Sequence, residues 1–487
     1  MQEFINPSLY QINTRVWLRK LSKQLGRAAT LTDIPDKDLD ILAGQHFDWI
    51  YLLGVWQTGK AGQTVSRSLP ELRKGYEQAL PDLKNEDICG SSFAITGYSV
   101  NSSLGGNEAL LHLRARLKER GLRLMLDFIP NHTAPDHPWV RQYPEYYVQG
   151  TEADIAQAPY NYLRAEKGRI FAYGRDPYFP GWTDTLQLNY GNPKLQQAMK
   201  GELVNVASLC DGVRCDMAML VLPEVFQRTW GIDAAPFWPD AIAGVRNKYP
   251  EFSFMAEVYW DLEWTLQQQG FDYTYDKRLY DRLGCQQAGP VHDHFLAGLD
   301  YQRKSARFLE NHDEQRAAHI FPPDVHRAAA VLAFLCPGLR FFHQGQLEGE
   351  QTFLPIQLCR GPVEAPDLPL EDFYKVLLET LPSVHQGDWQ LLECTPAWEG
   401  NSTWSNYIVF SWQRKGGVFL LVVVNYAPSQ GQCYVRLPID SLGGKNIRLC
   451  DRMHPTVYEH AGDDVMSQGL YLDEPAWSYH VFEVTQV

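Results

Sequence analysis

The sequence predicts an α/β chain: a (β/α)8 barrel with a small inserted subdomain after the third strand and a C-terminal antiparallel β-domain. Helix-like stretches feed short apolar strands repeatedly between Leu9 and Gly345, the order of a parallel α/β architecture. The strands number about eight, which is the count that closes a barrel. Beyond about residue 385 the alternation stops, and short β segments joined by turns take over.

The first strand is Leu9-Tyr10-Gln11-Ile12-Asn13, and the second runs from Phe47 to Gly54. After the turn Gly105-Gly106, Asn107 is placed to cap a helix with Leu110, Leu113 and Leu117 on one face, closed by Gly121. Leu122–Asp127 is the third strand, followed by Pro130-Asn131-His132. From Thr133 to Thr185 the pattern lapses into a stretch rich in Pro, Tyr, Trp and Gly, too long for an ordinary connection. Helices over 194–208, 239–248 and 325–336 then alternate with strands that end at Asp216, Glu257, Thr274 and Asp313, and with a last strand at Leu339–Gly345. The barrel therefore comprises residues 1–132 and 186–384, the insert 133–185 and the β-domain 385–487. In the last, Tyr407–Phe410 and the run Val418–Val424 flank Gly416-Gly417, and Tyr434–Leu437 follows. This domain is expected to complete the barrel's core rather than to bind a ligand of its own.

Composition excludes several classes. The chain is 45% hydrophobic over 487 residues, enough for a large core. A net charge of -14 without a clustered basic face argues against nucleic acid as a partner. No apolar run is long enough to span a membrane, and Met1–Asn6 lacks the charged and apolar regions of a secretory signal. None of the nine cysteines forms a CxxC pair, which speaks against a cysteine zinc site and a disulfide framework. Free thiols in a reducing cytoplasm are the expectation.

The chemistry gathers in the acids. Asp127, Asp216, Glu257 and Asp313 each follow an apolar strand, the end where barrel enzymes build their sites. Any one of them could be an ordinary helix N-cap; four from separate strands, with Arg214, His132 and His312 among them, point to a site. Arg214 and Asp216 are two apart on a strand and so face the same side. A guanidinium there keeps the carboxylate ionised. Converging carboxylates serve either to bind a hard cation or to split glycosidic bonds. The arginine and histidines suit the second use better, because cations would repel a divalent metal.

Four segments also carry a resemblance: Asp127-Phe128-Ile129-Pro130-Asn131-His132, Gly212-Val213-Arg214-Cys215-Asp216, Ala256-Glu257-Val258 and Asn311-His312-Asp313. In order and spacing the set resembles the signature segments of the α-amylase family, glycoside hydrolase family 13, whose members are retaining α-glycosidases and transglycosylases on a TIM barrel. The resemblance covers roughly residues 5–380, and the insert after His132 stands where the family has its small domain. It implies Asp216 as the nucleophile and Glu257 as the general acid and base. It implies Asp313, His132 and His312 as contacts to the bound sugar ring, with Arg214 orienting Asp216; Asp127 joins the substrate-binding set. Glu257 follows the apolar Phe252, Phe254, Met255 and Ala256, whose packing would raise its pKa, so the two acids are expected in opposed settings, a cation beside one and apolar packing beside the other.

Some positions depart from the family pattern. The aromatic that stacks on the sugar is usually tyrosine; here Phe93 is the first candidate and Tyr98 the second. Many members bind calcium near the small domain, but Gln187 stands where an Asp ligand is common beside Asn131, so no calcium and no other metal or cofactor is expected. Met217-Ala218-Met219-Leu220 replaces a segment that usually ends in Lys-His on the leaving-group side. Tyr and Trp residues crowd the insert, most of them expected to pack it and some to line the groove. The resemblance thus implies hydrolysis of α-1,4-glucosidic bonds in glucans or maltooligosaccharides. Alternatives are transfer to a sugar or phosphate acceptor (a 4-α-glucanotransferase or sucrose-phosphorylase-like reaction), a divalent-metal hydrolase on the same acids, and a non-catalytic relative, which the intact acids disfavour.

Overall fold

A computed structural model describes residues 6–385, 387–413, 419–439, 442 and 444–487. The first five residues and Gly416-Gly417 with Val418 lie outside the described residues. Eight parallel strands close a barrel in sequence order: β1 Ser8–Asn13, β2 Trp49–Leu53, β3 Arg123–Phe128, β4 Gly212–Cys215, β5 Ser253–Ala256, β6 Tyr273–Tyr275, β7 Ser305–Arg307 and β8 Leu339–His343. β8 pairs with β1, Ser8 to Arg340 through Gln11 to His343, which shuts the ring. Nearly every strand residue is buried, as expected where helices cover a parallel sheet.

Local chemistry sets the helix ends. The helix Pro193–Leu209 starts with proline at its first position and Asn192 accepting from Lys194 N at 2.9 Å. Asn107 does not cap the helix Gly106–Glu119. The left-handed Gly105 does that, and Asn107 Oδ1 accepts from Val100 N at 2.8 Å, tying the helix to the preceding strand. Between β3 and β4 the chain builds short helices and two-stranded pairs, among them Tyr162–Arg164 with Ile170–Ala172 and His132–Thr133 with Leu186–Gln187. Here Tyr147 is buried against Phe171, and Trp139 and Tyr143 pack on Tyr146.

The C-terminal sheets are antiparallel. The strands β9 Asp388–Leu392, β10 Cys394–Pro396, β11 Tyr407–Gln413, β12 Phe419–Asn425, β13 Gly431–Val435, β14 Asn446–Asp451, β15 Val457–Ala461, β16 Leu470–Glu474 and β17 Tyr479–Gln486 form one sheet β9-β11-β12-β17-β14-β15 and another β10-β13-β16. Two-residue periodicity divides the central strands. Ile408, Phe410, Trp412, Leu420, Val422 and Val424 join the barrel's core, whereas Val409, Leu421 and Val423 face a second core under the small sheet. Both faces are covered, which is why the run reads as continuously apolar. Trp412 Nε1 donates to Leu335 O and Tyr426 Oη to Leu283 O, so the domain completes the barrel's core as expected. Among the described residues, no helix is long and apolar enough to cross a membrane, and all nine cysteines are free thiols.

Candidate active site

The four acids meet around one cation. Arg214, fully buried on β4, sends Nη1 to Asp216 Oδ1 and Nη2 to Glu257 Oε2, both at 2.7 Å. Asp127 Oδ1 is 3.8 Å and Asp313 Oδ2 3.9 Å from the same guanidinium. The parallel register makes this possible. Arg214 is level with Asp127 on β3 and with Met255 on β5, and Asp216 and Glu257 leave the ends of adjacent strands. The opposed settings expected for the two acids are not found: one arginine serves both. Nor does Asp313 end a strand. β7 stops at Arg307, and Asp313 sits on the loop beyond it, where Asn311 Oδ1 accepts from Asp313 N and Glu314 N.

Backbone turns aim the groups. Met217 adopts the left-handed region at φ 43°, uncommon for a residue with a side chain. Its N–H thereby reaches Glu257 Oε2 at 2.7 Å, and Tyr259 Oη donates to Glu257 Oε1 at 2.9 Å. Asp127 is spoken for: Tyr51 Oη donates to it at 2.5 Å and Gly54 N at 2.9 Å. Gly54 has φ 79°, and a Cβ there would lie 2.5 Å from Ser92 Oγ, so only glycine fits this turn. With both oxygens occupied and the residue 1% exposed, Asp127 holds the site together from beneath.

Electrostatics follow from one cation shared among several acids. Burial raises the Glu257 carboxyl to about 7, against the pull of Arg214 and with the push of Asp216 and Asp313. Burial also raises Asp216, partly offset by Arg214. Desolvation takes Asp313 to about 6, although 41% of its side chain faces solvent, the largest share among the four acids. Burial lowers His132 to about 4 and His312 to about 3, so both imidazoles are neutral at pH 7. Gln11 Nε2 lies 3.0 Å from His312 Nδ1; with the amide donating, the proton resides on Nε2. That Nε2 comes within 3.0 Å of Asp313 Oδ2 but off the hydrogen-bonding direction, and it stays unspent, as do His132 Nε2 and Arg214 Nε. Buried polar groups without partners are costly, and here they surround the acids.

Phe93 lies over the Arg214 guanidinium at 5.0 Å and 5.4 Å from the His312 ring, inside the site. Tyr98 does not join it. Its hydroxyl bonds the backbone of Ile129 and its ring stacks on Phe128 beneath. Trp182 meets His132 edge-on, and Tyr178 meets Trp260 at 5.0 Å. Asp240 pairs with Lys200 on the helical surface, away from the acids. Sequence reasoning missed Gln11, Tyr51 and Tyr259. Gln11 had a signal, as a polar residue inside an apolar strand.

Asn131 and Gln187, the positions weighed for calcium, bond each other. The Gln187 amide nitrogen donates to Asn131 O, Asn131 Oδ1 and Leu188 O at 3.0, 2.9 and 3.1 Å. An N–H group thus engages these oxygens, while the buried Gln187 Oε1 is left without a partner.

A family model described as the catalytic domain of alpha amylase matches residues 92–280. "Alpha-amylase 3" of Dictyoglomus thermophilum is 22% identical over 300 residues, 55% of this chain and 56% of that one. An α-1,4-glucan:maltose-1-phosphate maltosyltransferase of Rhodospirillum rubrum is 26% identical over 258 residues, 50% of this chain and 30% of that one. The chain thus spans about half or less of these relatives. In three dimensions the fold matches a maltogenic α-amylase of Thermotoga neapolitana with TM-score 0.69 at 18% identity, covering 99% of each chain. Family model, relatives and fold all point to the α-amylase family, glycoside hydrolase family 13.

Proposed function

We propose that the protein is a retaining α-glycoside hydrolase acting on α-1,4-glucosidic bonds of glucans or maltooligosaccharides. The observation that carries this reading is the Arg214 guanidinium gripped by Asp216 and Glu257 at 2.7 Å each. Two carboxyl groups on one planar fork stand side by side, in keeping with the separation of about 5–5.5 Å used for retention rather than the wider gap that admits a water for inversion. Asp216 is the nucleophile. Its carboxylate bonds to the anomeric carbon as the glycosidic C–O bond breaks, and Glu257 gives its proton to the departing oxygen. Glu257 then takes a proton from water as that water attacks the glycosyl-enzyme, which restores both carboxyl groups. A Glu257 carboxyl near 7 is poised for both roles. The unspent Nε2 atoms of His132 and His312, with Asp313, hold ring hydroxyls, and Phe93 supplies the apolar face.

Transfer uses the same intermediate with a sugar or phosphate in place of water. The segment Met217-Ala218-Met219-Leu220, where the resemblance leads one to expect Lys-His on the leaving-group side, supports this second reading. A product time course on a maltooligosaccharide ladder and soluble starch, with Asp216→Asn alongside, tests both. Shorter products released as the α-anomer support hydrolysis with retention, and products longer than the starting sugar support transfer. No change in any α-glucan, with or without phosphate, overturns the reading. No calcium acts at Asn131 and Gln187 in this proposal, so activity is expected to survive EDTA; a loss restored by Ca²⁺ would count against it. The free thiols support a cytoplasmic location.

A further inference from the structure

In the C-terminal domain, far along the chain from the acids, three side chains from separate segments turn ligating atoms toward one point. Asp451 ends β14, His454 sits in the turn before β15, and His480 lies on β17. Asp451 Oδ2 is 3.0 Å from His454 Nδ1 and 2.7 Å from His480 Nδ1, and the three ligating atoms lie within 4.8 Å of one another. Ligands about 2.1 Å from a metal stand about 3.0 Å apart at right angles and about 3.4 Å apart in a tetrahedron, so the Asp451–His454 pair is near such a spacing and the Asp451–His480 pair is closer.

The surroundings fix these atoms. Asp451 Oδ1 accepts from Met453 N at 2.9 Å and Val481 N at 3.2 Å, which leaves Oδ2 turned to the imidazoles. His480 stacks on Phe482 at 4.9 Å, and His454 packs on Tyr479 at 5.2 Å. Behind His480, Nε2 meets Glu474 Oε2 at 3.0 Å. A carboxylate on the far nitrogen of a ligating histidine is the usual outer partner in metal sites, and it leaves the Nδ1 lone pair for the ion.

We propose that Asp451, His454 and His480 bind one first-row transition-metal dication of the zinc class, with Glu474 orienting His480. Two imidazoles and one carboxylate select such an ion over calcium or magnesium. The ion would tie the β14–β15 turn to β17 beside the seam with the barrel, where Tyr479 packs on Phe373 of the helix Leu368–Thr380. Its role is structural and independent of the glycosidase reading.

The test titrates Zn²⁺ alone into the EDTA-stripped full chain by calorimetry at pH 7.5, with melting curves in parallel. About one Zn²⁺ per chain is expected, with a rise in Tm. Glu474→Gln should weaken binding about 10–100-fold, and His454→Ala and His480→Ala should weaken it by more. Absence of binding to the wild-type chain, or binding and a Tm rise that survive both histidine variants, would overturn the proposal. If His480→Ala fails to fold, His454→Ala decides, because that side chain sits in a turn and is 40% exposed.

Discussion

Two of the arginines buried in the barrel look alike and behave as opposites. Arg307 on β7 meets Asp276 and Gln302, and His294 Nε2 lies 2.9 Å from the same Asp276 carboxylate. Asp276 also caps a helix, accepting from Leu279 N at 3.0 Å. No atom of these four side chains is among the buried orphans. Burial pushes the Asp276 carboxyl up, but His294 and Arg307 outweigh it and hold it well below the usual carboxylate range. Around Arg214 the balance is reversed: four carboxylates share one guanidinium, Glu257 rises to about 7, and donors are left over. One cluster satisfies itself. The other keeps surplus acid and unspent donors, the setting in which perturbed carboxyl groups gather at functional sites.

Neutralising one acid in each cluster should break the comparison most sharply. Asp216→Asn is expected to cost on the order of 10⁴-fold or more in kcat while the circular dichroism spectrum stays native. Asp276→Asn should leave kcat per folded molecule intact but cost about 3–5 kcal/mol in denaturant unfolding, because it strands Arg307. If Asp276→Asn abolished turnover in folded protein, the structural assignment would fail.

The pH dependence separates the clusters next. Glu257 must be protonated to start the reaction, so kcat/KM should fall as pH rises through about 7. Stability carries a matching sign. The folded-state pKa of Glu257 lies above its ordinary 4.5, so the native state holds the extra proton, and this group's contribution is lost as pH rises from 4.5 to about 7. Glu257→Gln should therefore be inactive yet more stable than wild type at pH 8, by about 1–2 kcal/mol. Asp276, with its lowered pKa, acts the other way: it stabilises above the usual carboxylate range and loses that contribution only in strong acid. Melting curves at pH 5 and 8 read the sign for Glu257→Gln, and curves taken down to about pH 2 read it for Asp276→Asn.

The acids were legible in the sequence because each follows an apolar strand, and the barrel because helices and strands alternate along most of the chain. The sharing of Arg214 was not. That depends on β4 and β5 lying side by side in register, so that Glu257, 43 positions along from Arg214, reaches the same guanidinium as Asp216, and no local pattern reports a register between strands. The same limit hid Tyr51 and Gln11, whose partners Asp127 and His312 lie 76 and 301 residues away. Tyr98 looked like a sugar platform because it is aromatic and near Phe93 in sequence, but the backbone of Ile129 claims its hydroxyl. The metal-like cluster at Asp451 was invisible for a related reason, since His480 joins only when β17 pairs with β14.

Tyr259 gives the smallest and most discriminating effect. Its hydroxyl donates to Glu257 Oε1 at 2.9 Å, a bond that favours the ionised carboxylate over the neutral acid. Tyr259→Phe removes that donor and leaves Arg214 and Met217 N on the other oxygen. The Glu257 carboxyl should then rise further, and the basic limb of the kcat/KM profile should move to higher pH, with less than about a tenfold loss at the optimum. A limb that stayed in place would mean that another group sets it, and a limb that moved to lower pH would mean that the tyrosine stabilises the acid. Arg307 and Asp276 lie outside this bond, so the limb in Asp276→Asn should coincide with wild type. A shift there would show that the two clusters communicate.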